Sequence, residues 1–210
     1  MLNINKLIDL LEKEYPDAKL ELNYQNPFQL LIAAILAAQC TDKKVNEVTK
    51  SLFNKYKNPE AFANADPKEL EKDIKPTGFY KNKAKNIIQT SKIIVEKYNS
   101  TVPEKKEQLM QLSGVADKTA NMLLCNAFNI PSGIVVDTHV KRLAYRIGLT
   151  KNTDPKKIEE DLKKIIPRSK WIKFPHLLAF HGRKICIARK PKCKQCVINQ
   201  LCNYKDKNID

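Results

Sequence analysis

Apolar positions along this chain recur with helical spacing. Val45, Val48, Leu52 and Tyr56 form one stripe, and Ala84, Ile87, Ile88, Ser91 and Ile94 form another, as on one face of a helix. From residue 28 to residue 38 the chain is apolar nearly all round, which predicts a buried central helix too short to cross a bilayer. Asn26-Pro27, Asp66-Pro67 and Asp154-Pro155 each set a capping side chain before a proline suited to the first helical position. They predict helix starts, with the first helix covering 28–39. Two segments break the pattern: a turn at Leu112-Ser113-Gly114-Val115, and the β-branched run Gly133-Ile134-Val135-Val136 that ends at Asp137. With only 5 glycines and abundant Leu, Ile, Lys and Glu, an all-α fold is expected.

The 210 residues, 42% of them hydrophobic, suffice for one large domain or two smaller ones sharing an interface. The formal charge is +15, from 38 basic and 23 acidic residues, and points to a polyanionic partner, nucleic acid first. Charge of this kind carries no base specificity. The N-terminal segment mixes Asp9, Glu12 and Glu14 with its apolar residues, which argues against a secretory signal or a transit peptide. No apolar run is long enough to span a membrane, so a reducing, cytoplasmic compartment is expected.

Four of the six cysteines, Cys186, Cys193, Cys196 and Cys202, crowd near the C-terminus with spacing C-x6-C-x2-C-x5-C. A tetrathiolate set suits zinc or an iron–sulfur cluster, and the set alone does not choose. Arg189, Lys190 and Lys192 lie between the first two ligands and Lys194 follows them, so a folded loop would present a cationic rim to phosphates. Cys40 and Cys125 stand in apolar surroundings and are expected to pack as small apolar residues. His139, Trp171 and His181 are expected in the core.

The segment from Leu112 to Asn121 looks like a helix-hairpin-helix. A tight turn at Gly114 exposes backbone N–H groups and a helix follows at once, both of which favour a phosphate. Gly114, Val115 and Ala116 are therefore expected to hold the DNA backbone without reading bases. Lys118 lies in the first turn of that helix, beside the expected phosphate site, and a lysine amine is a nucleophile when neutral. Such an amine can attack the anomeric carbon of a deoxyribose, displace a damaged base and leave a Schiff base. Asp137 can accept a proton or stabilise positive charge at the sugar, or it can simply cap a helix.

Leu36-Ala37-Ala38-Gln39-Cys40-Thr41-Asp42, Gly114-Val115 with Lys118-Thr119-Ala120-Asn121, Val136-Asp137-Thr138-His139 and the terminal cysteines occur in the order found in the endonuclease III family. From about residue 20 to the C-terminus the chain resembles that family. The resemblance implies a bifunctional DNA glycosylase and abasic-site lyase of base excision repair, acting through a lysine Schiff base and β-elimination on oxidised pyrimidines in duplex DNA. It implies Lys118 as nucleophile, Asp137 as its assistant, and a [4Fe–4S] cluster on the four terminal cysteines. Gln39 then matches the position that fills the vacated base stack, and Phe79 the apolar wedge beside it. A six-helix barrel-like domain is expected over 20–130, with the hairpin at about 107–130. A second helical domain would join 1–19 to 131–210 and carry the cluster loop 186–202. A monomer in a bacterial cytoplasm, associated with the nucleoid, is expected.

The chain departs from the family at the hairpin. Ser113 stands where Pro is usual, Ala116 where a second Gly is frequent, and Asp117 where a basic residue is common. Because Ala tolerates positive φ poorly, a reshaped turn is expected, and Asp117 is expected to weaken the grip on DNA. The rival readings are an adenine or thymine mismatch glycosylase of the same superfamily and a non-catalytic DNA-binding module.

Overall fold

The structure, a computed structural model, describes residues 2–208. Met1 and residues 209–210, the ends of the expected second domain, lie outside the described residues. Among those described there is no strand, and the chain divides into two compact units. One is Glu21–Ile130; the other joins the segment up to Leu20 to the segment from Pro131 onward.

The first unit holds α2 (Pro27–Leu36), α3 (Asp42–Lys55), α4 (Pro59–Ala63), α5 (Pro67–Ile74), α6 (Tyr80–Tyr98), α7 (Lys106–Leu109) and α8 (Asp117–Ala127). α2 is the central helix its composition predicts: Leu30, Leu31, Ile32 and Ala33 are fully buried. It packs against α3, α6 and α8. Val45, Val48 and Leu52 of α3 and Ala84, Ile87 and Ile94 of α6 are buried, so both predicted stripes face the core. Each of the Val, Leu and Ile side chains among them contributes roughly 1.5–3 kcal/mol on burial. Asn26 and Asp66 cap their helices, each side chain accepting from the backbone N–H three residues on. α2 stops at Leu36, three residues before the expected end, because Gln39 adopts a left-handed backbone (φ 54°) that a helix cannot continue through.

The second unit holds α1 (Ile4–Glu14), α9 (Thr138–Ile147), α10 (Pro155–Ile165) and α11 (Lys173–Lys184), followed by the cysteine-rich segment. Its core includes Leu7, Leu11, Ile134, Leu143, Ile158, Phe174 and Leu177. The run at 133–136 forms no regular element, and Ile134 and Val136 are buried. Trp171, half-buried against this core, donates from Nε1 to the Ile166 carbonyl at 2.9 Å. Among the described residues, no helix is long and apolar enough to cross a membrane.

Candidate active site

The hairpin is built on α6. Gly114 takes φ +81°, and a Cβ there would meet Asn86 of α6 at 2.9 Å, so the turn needs glycine for conformation and for space. Thr90 Oγ1 donates to the Ser113 carbonyl at 2.9 Å, and Ser113 Oγ to Gln89 Oε1 at 3.1 Å. Ser113 thus ties the turn to α6 in the place where the family carries proline. Ala116 is extended (φ −90°, ψ 172°), so the expected reshaping does not occur: a single left-handed residue, Gly114, makes the turn.

α8 starts at Asp117 with Ala116 as N-cap and no side-chain capping hydrogen bond, whereas α1 to α5 and α9 and α10 are all capped by Asn, Thr or Asp. Its first amides therefore remain available to an anion. Gly114 and Ala116 are exposed and Val115 is buried, anchoring the turn from below. Lys118 is exposed in the first turn of α8. Asp117 Oδ1 is 2.7 Å from Lys106 Nζ of α7.

Asp137 caps α9, its Oδ1 accepting from the Val140 N–H at 2.7 Å. The N-cap role weighed from sequence is real, and it leaves Oδ2 for other work. Around this carboxylate, burial pushes His176 down to about 4, with Lys173 and Arg183 acting in the same sense and Asp137 opposing. Gln39 is exposed with φ 54°, and Phe79 is 63% exposed with φ 48°, a large apolar side chain held in solvent on strained backbone.

Cys186, Cys193, Cys196 and Cys202 line one shared pocket. Among the described residues, no three His, Cys, Asp or Glu side chains converge as a single metal ion requires. Four thiols lining one pocket are a donor set that an iron–sulfur cluster takes. Burial pushes the Cys196 thiol up to about 11 and raises Cys202. Arg189, Lys190, Lys192 and Lys194 are exposed on the same segment.

Several residues at this centre were not singled out from sequence. Arg142 donates to the Gly182 and Cys186 carbonyls, and Arg146 to the Ile187 and Ala188 carbonyls and, at 3.4 Å, to Cys186 Sγ. The signal was available: all five arginines follow residue 131, and these two stand four apart on one helix face. His181 is in the core as expected, yet its ring also spans from Tyr15 Oη at 3.0 Å to Cys196 Sγ at 3.3 Å. His139 and Trp171 are only half-buried, His139 lying 3.2 Å from Arg142 Nη2. Cys125 is buried as expected, but Cys40, just past the strained Gln39, is only half-buried.

Residues 32–168 match the HhH-GPD superfamily of base excision DNA repair proteins, and residues 186–202 match the iron–sulfur binding domain of endonuclease III. Endonuclease III from Synechocystis sp. is 50% identical over 94% of this chain and 90% of its own length. A non-covalent endonuclease III–DNA complex and a trapped endonuclease III–DNA covalent intermediate each superpose with a TM-score of 0.89 at 43% identity, over 95% of this chain and 94% of theirs. The fold and site thus define a base excision repair protein with a helix-hairpin-helix. Within that class the chain belongs to the endonuclease III family. It is a DNA glycosylase and abasic-site lyase with a [4Fe–4S] cluster, and its partner is duplex DNA carrying damaged bases or abasic sites.

Proposed function

We propose that Lys118 is the nucleophile, that Asp137 is the assisting carboxylate, and that oxidised pyrimidines are the bases removed. The observation that carries this reading is the start of α8. An uncapped helix N-terminus, a left-handed Gly114 and an exposed Lys118 fall within five residues of chain, which sets an amine beside a phosphate receptor. The neutral Nζ attacks the sugar C1′, the N-glycosidic bond breaks, and the base leaves with its electron pair and takes up a proton. Loss of water or ring oxygen as alcohol gives the imine. The imine acidifies C2′, whose proton departs as the C3′–O bond breaks and the phosphate leaves. Hydrolysis of the imine returns Lys118. Asp137 stabilises positive charge at the sugar or takes the ammonium proton.

The backbone of Gly114, Val115 and Ala116 holds a phosphate, Gln39 fills the vacated stack, and Phe79 wedges beside it; the exposed, left-handed backbones of Gln39 and Phe79 support the last two assignments. Arg189, Lys190, Lys192 and Lys194 add phosphate contacts. Cys186, Cys193, Cys196 and Cys202 hold the cluster, which folds and fixes this cationic segment. The functional division follows the two units, with the hairpin in 20–130 and the cluster in 131–210 joined by 1–19. The bacterial relatives support work in a bacterial cytoplasm.

Borohydride trapping on an abasic duplex tests the nucleophile. Lys118→Gln should form no covalent adduct while binding DNA normally; continued trapping would move the reaction to another amine. Asp137→Asn keeps a good N-cap, so its expected loss of about a hundredfold in base release reports chemistry rather than folding.

A further inference from the structure

Lys83 of α6 is a lysine in the wrong place for a solvated charge. It is 4% exposed, and burial pushes its pKa down. Among the described residues no carboxylate pairs with it. Its Nζ donates instead to two backbone carbonyls, Leu36 O and Thr77 O, each at 2.8 Å. Removing an ammonium from water without a counter-ion is unfavourable, and an apolar side chain of this length would fill the same space without that cost.

Both acceptors occupy telling positions. Leu36 is the last residue of α2, and its carbonyl is one that the helix itself leaves unsatisfied. Three residues later comes the left-handed, exposed Gln39. Thr77 ends a short 3-10 turn, Lys75–Thr77, held by its own Oγ1 to the Ile74 carbonyl at 2.8 Å. Two residues later comes Phe79, also left-handed, whose carbonyl accepts from the Lys83 N–H at 3.1 Å. One side chain therefore bridges the bases of two separate loops, 37–41 and 77–79, each carrying a strained, solvent-facing residue.

We propose that Lys83 is a positioning residue for strand opening, its buried ammonium clamping the two loops so that Gln39 and Phe79 enter the duplex as one rigid pair. This rests on the assignment of Gln39 and Phe79 to the base stack. Without the clamp the two carbonyls repel, the loops separate, and the gap-filler and wedge lose their common register. The sugar chemistry at Lys118 is untouched.

The test compares Lys83→Met with wild type in two assays. The first is base extrusion, read by the fluorescence of 2-aminopurine beside the lesion in a duplex, together with single-turnover cleavage of that duplex. The second is borohydride trapping on an abasic site in a single-stranded oligonucleotide, which needs no strand opening. Lys83→Met should lose roughly 10- to 100-fold on the duplex, the scale of a misplaced contact, and keep single-strand trapping within about twofold. Lys83→Arg, which can still donate to both carbonyls, should restore much of the extrusion. Equal losses in both assays, or an unchanged duplex rate, would overturn the proposal. Should Lys83→Met prove unfolded, Lys83→Gln, whose amide can serve one carbonyl, takes its place under the same two criteria. Gln39→Ala and Phe79→Ala run alongside. If they impair extrusion and the Lys83 variants do not, the clamp is wrong; if they leave extrusion unchanged, the assignment beneath it falls as well.

Discussion

Lys106 Nζ lies 2.7 Å from Asp117 Oδ1, joining the two helices of the hairpin by an ion pair. Asn121 Nδ2 reaches the other carboxylate oxygen at 3.3 Å. The acid that departs from the family pattern is thus answered locally, and the field it presents to a phosphate is largely cancelled. As a half-exposed pair it contributes only about 0.2–1 kcal/mol to stability.

Removing the acid should release the base. Asp117→Asn frees Lys106 while keeping the partner of Asn121, so the slope of log affinity against log salt should steepen by about one unit as Lys106 takes up a phosphate. Single-turnover cleavage at saturating DNA should hold. Binding titrations at several salt concentrations decide it: an unchanged slope means that Lys106 does not face DNA.

Gly114→Ala should suffer twice. A left-handed alanine costs roughly 1–2 kcal/mol, and its Cβ would approach Asn86 Nδ2 to 2.9 Å. Adding Asn86→Ala relieves the crowding alone. Thermal melts should show a lower midpoint for the single variant and partial recovery in the double. Full recovery would show that space, not φ, governs this turn.

Cys196→Ser should empty the cluster before it silences the chemistry. Cys196 shares its cavity with three other thiols and is held by His181. Iron content and visible absorption should collapse, and the 186–202 segment should become protease-sensitive, because ligand binding and folding of such a segment are coupled. Lys118 trapping should survive at low salt and high DNA concentration. A folded, iron-loaded variant would remove Cys196 from the ligand set.

His176 gives the acid limb of stability a defined sign. Its folded pKa, about 4, lies below the ordinary value of 6.5, so the unfolded chain binds the extra proton. The stabilisation is complete above pH 6.5 and declines as pH falls toward 4. His176→Gln should flatten the dependence of melting temperature on pH across that window. A parallel curve would mean that the ring titrates alike in both states.

The helices were legible because their information is local. Asn26, Asp66 and Asp154 announce their helices by capping chemistry, and the stripes on α3 and α6 announce a core by spacing alone. The end of α2 was not legible, because nothing in Ala37-Ala38-Gln39 forbids another helical turn; the left-handed Gln39 ends it, and Lys83, 47 residues away, takes up the Leu36 carbonyl that the helix leaves free. Lys83 itself was hidden among many lysines, since burial of a charge is a tertiary fact. Ala116 misled in the opposite direction. A side chain that tolerates positive φ poorly suggested strain, whereas the turn places that residue in extended backbone that any side chain adopts.

Trp171 is the sole tryptophan, and it lies against the core built from α1, α9, α10 and α11. Tryptophan emission, excited apart from tyrosine, is therefore a private reporter of the cluster-bearing unit, blind to the helices of the hairpin unit. Circular dichroism sums over both. Denaturation followed by the two probes on one sample measures the cooperativity between the units, and coincident curves would mean that the two units unfold as one.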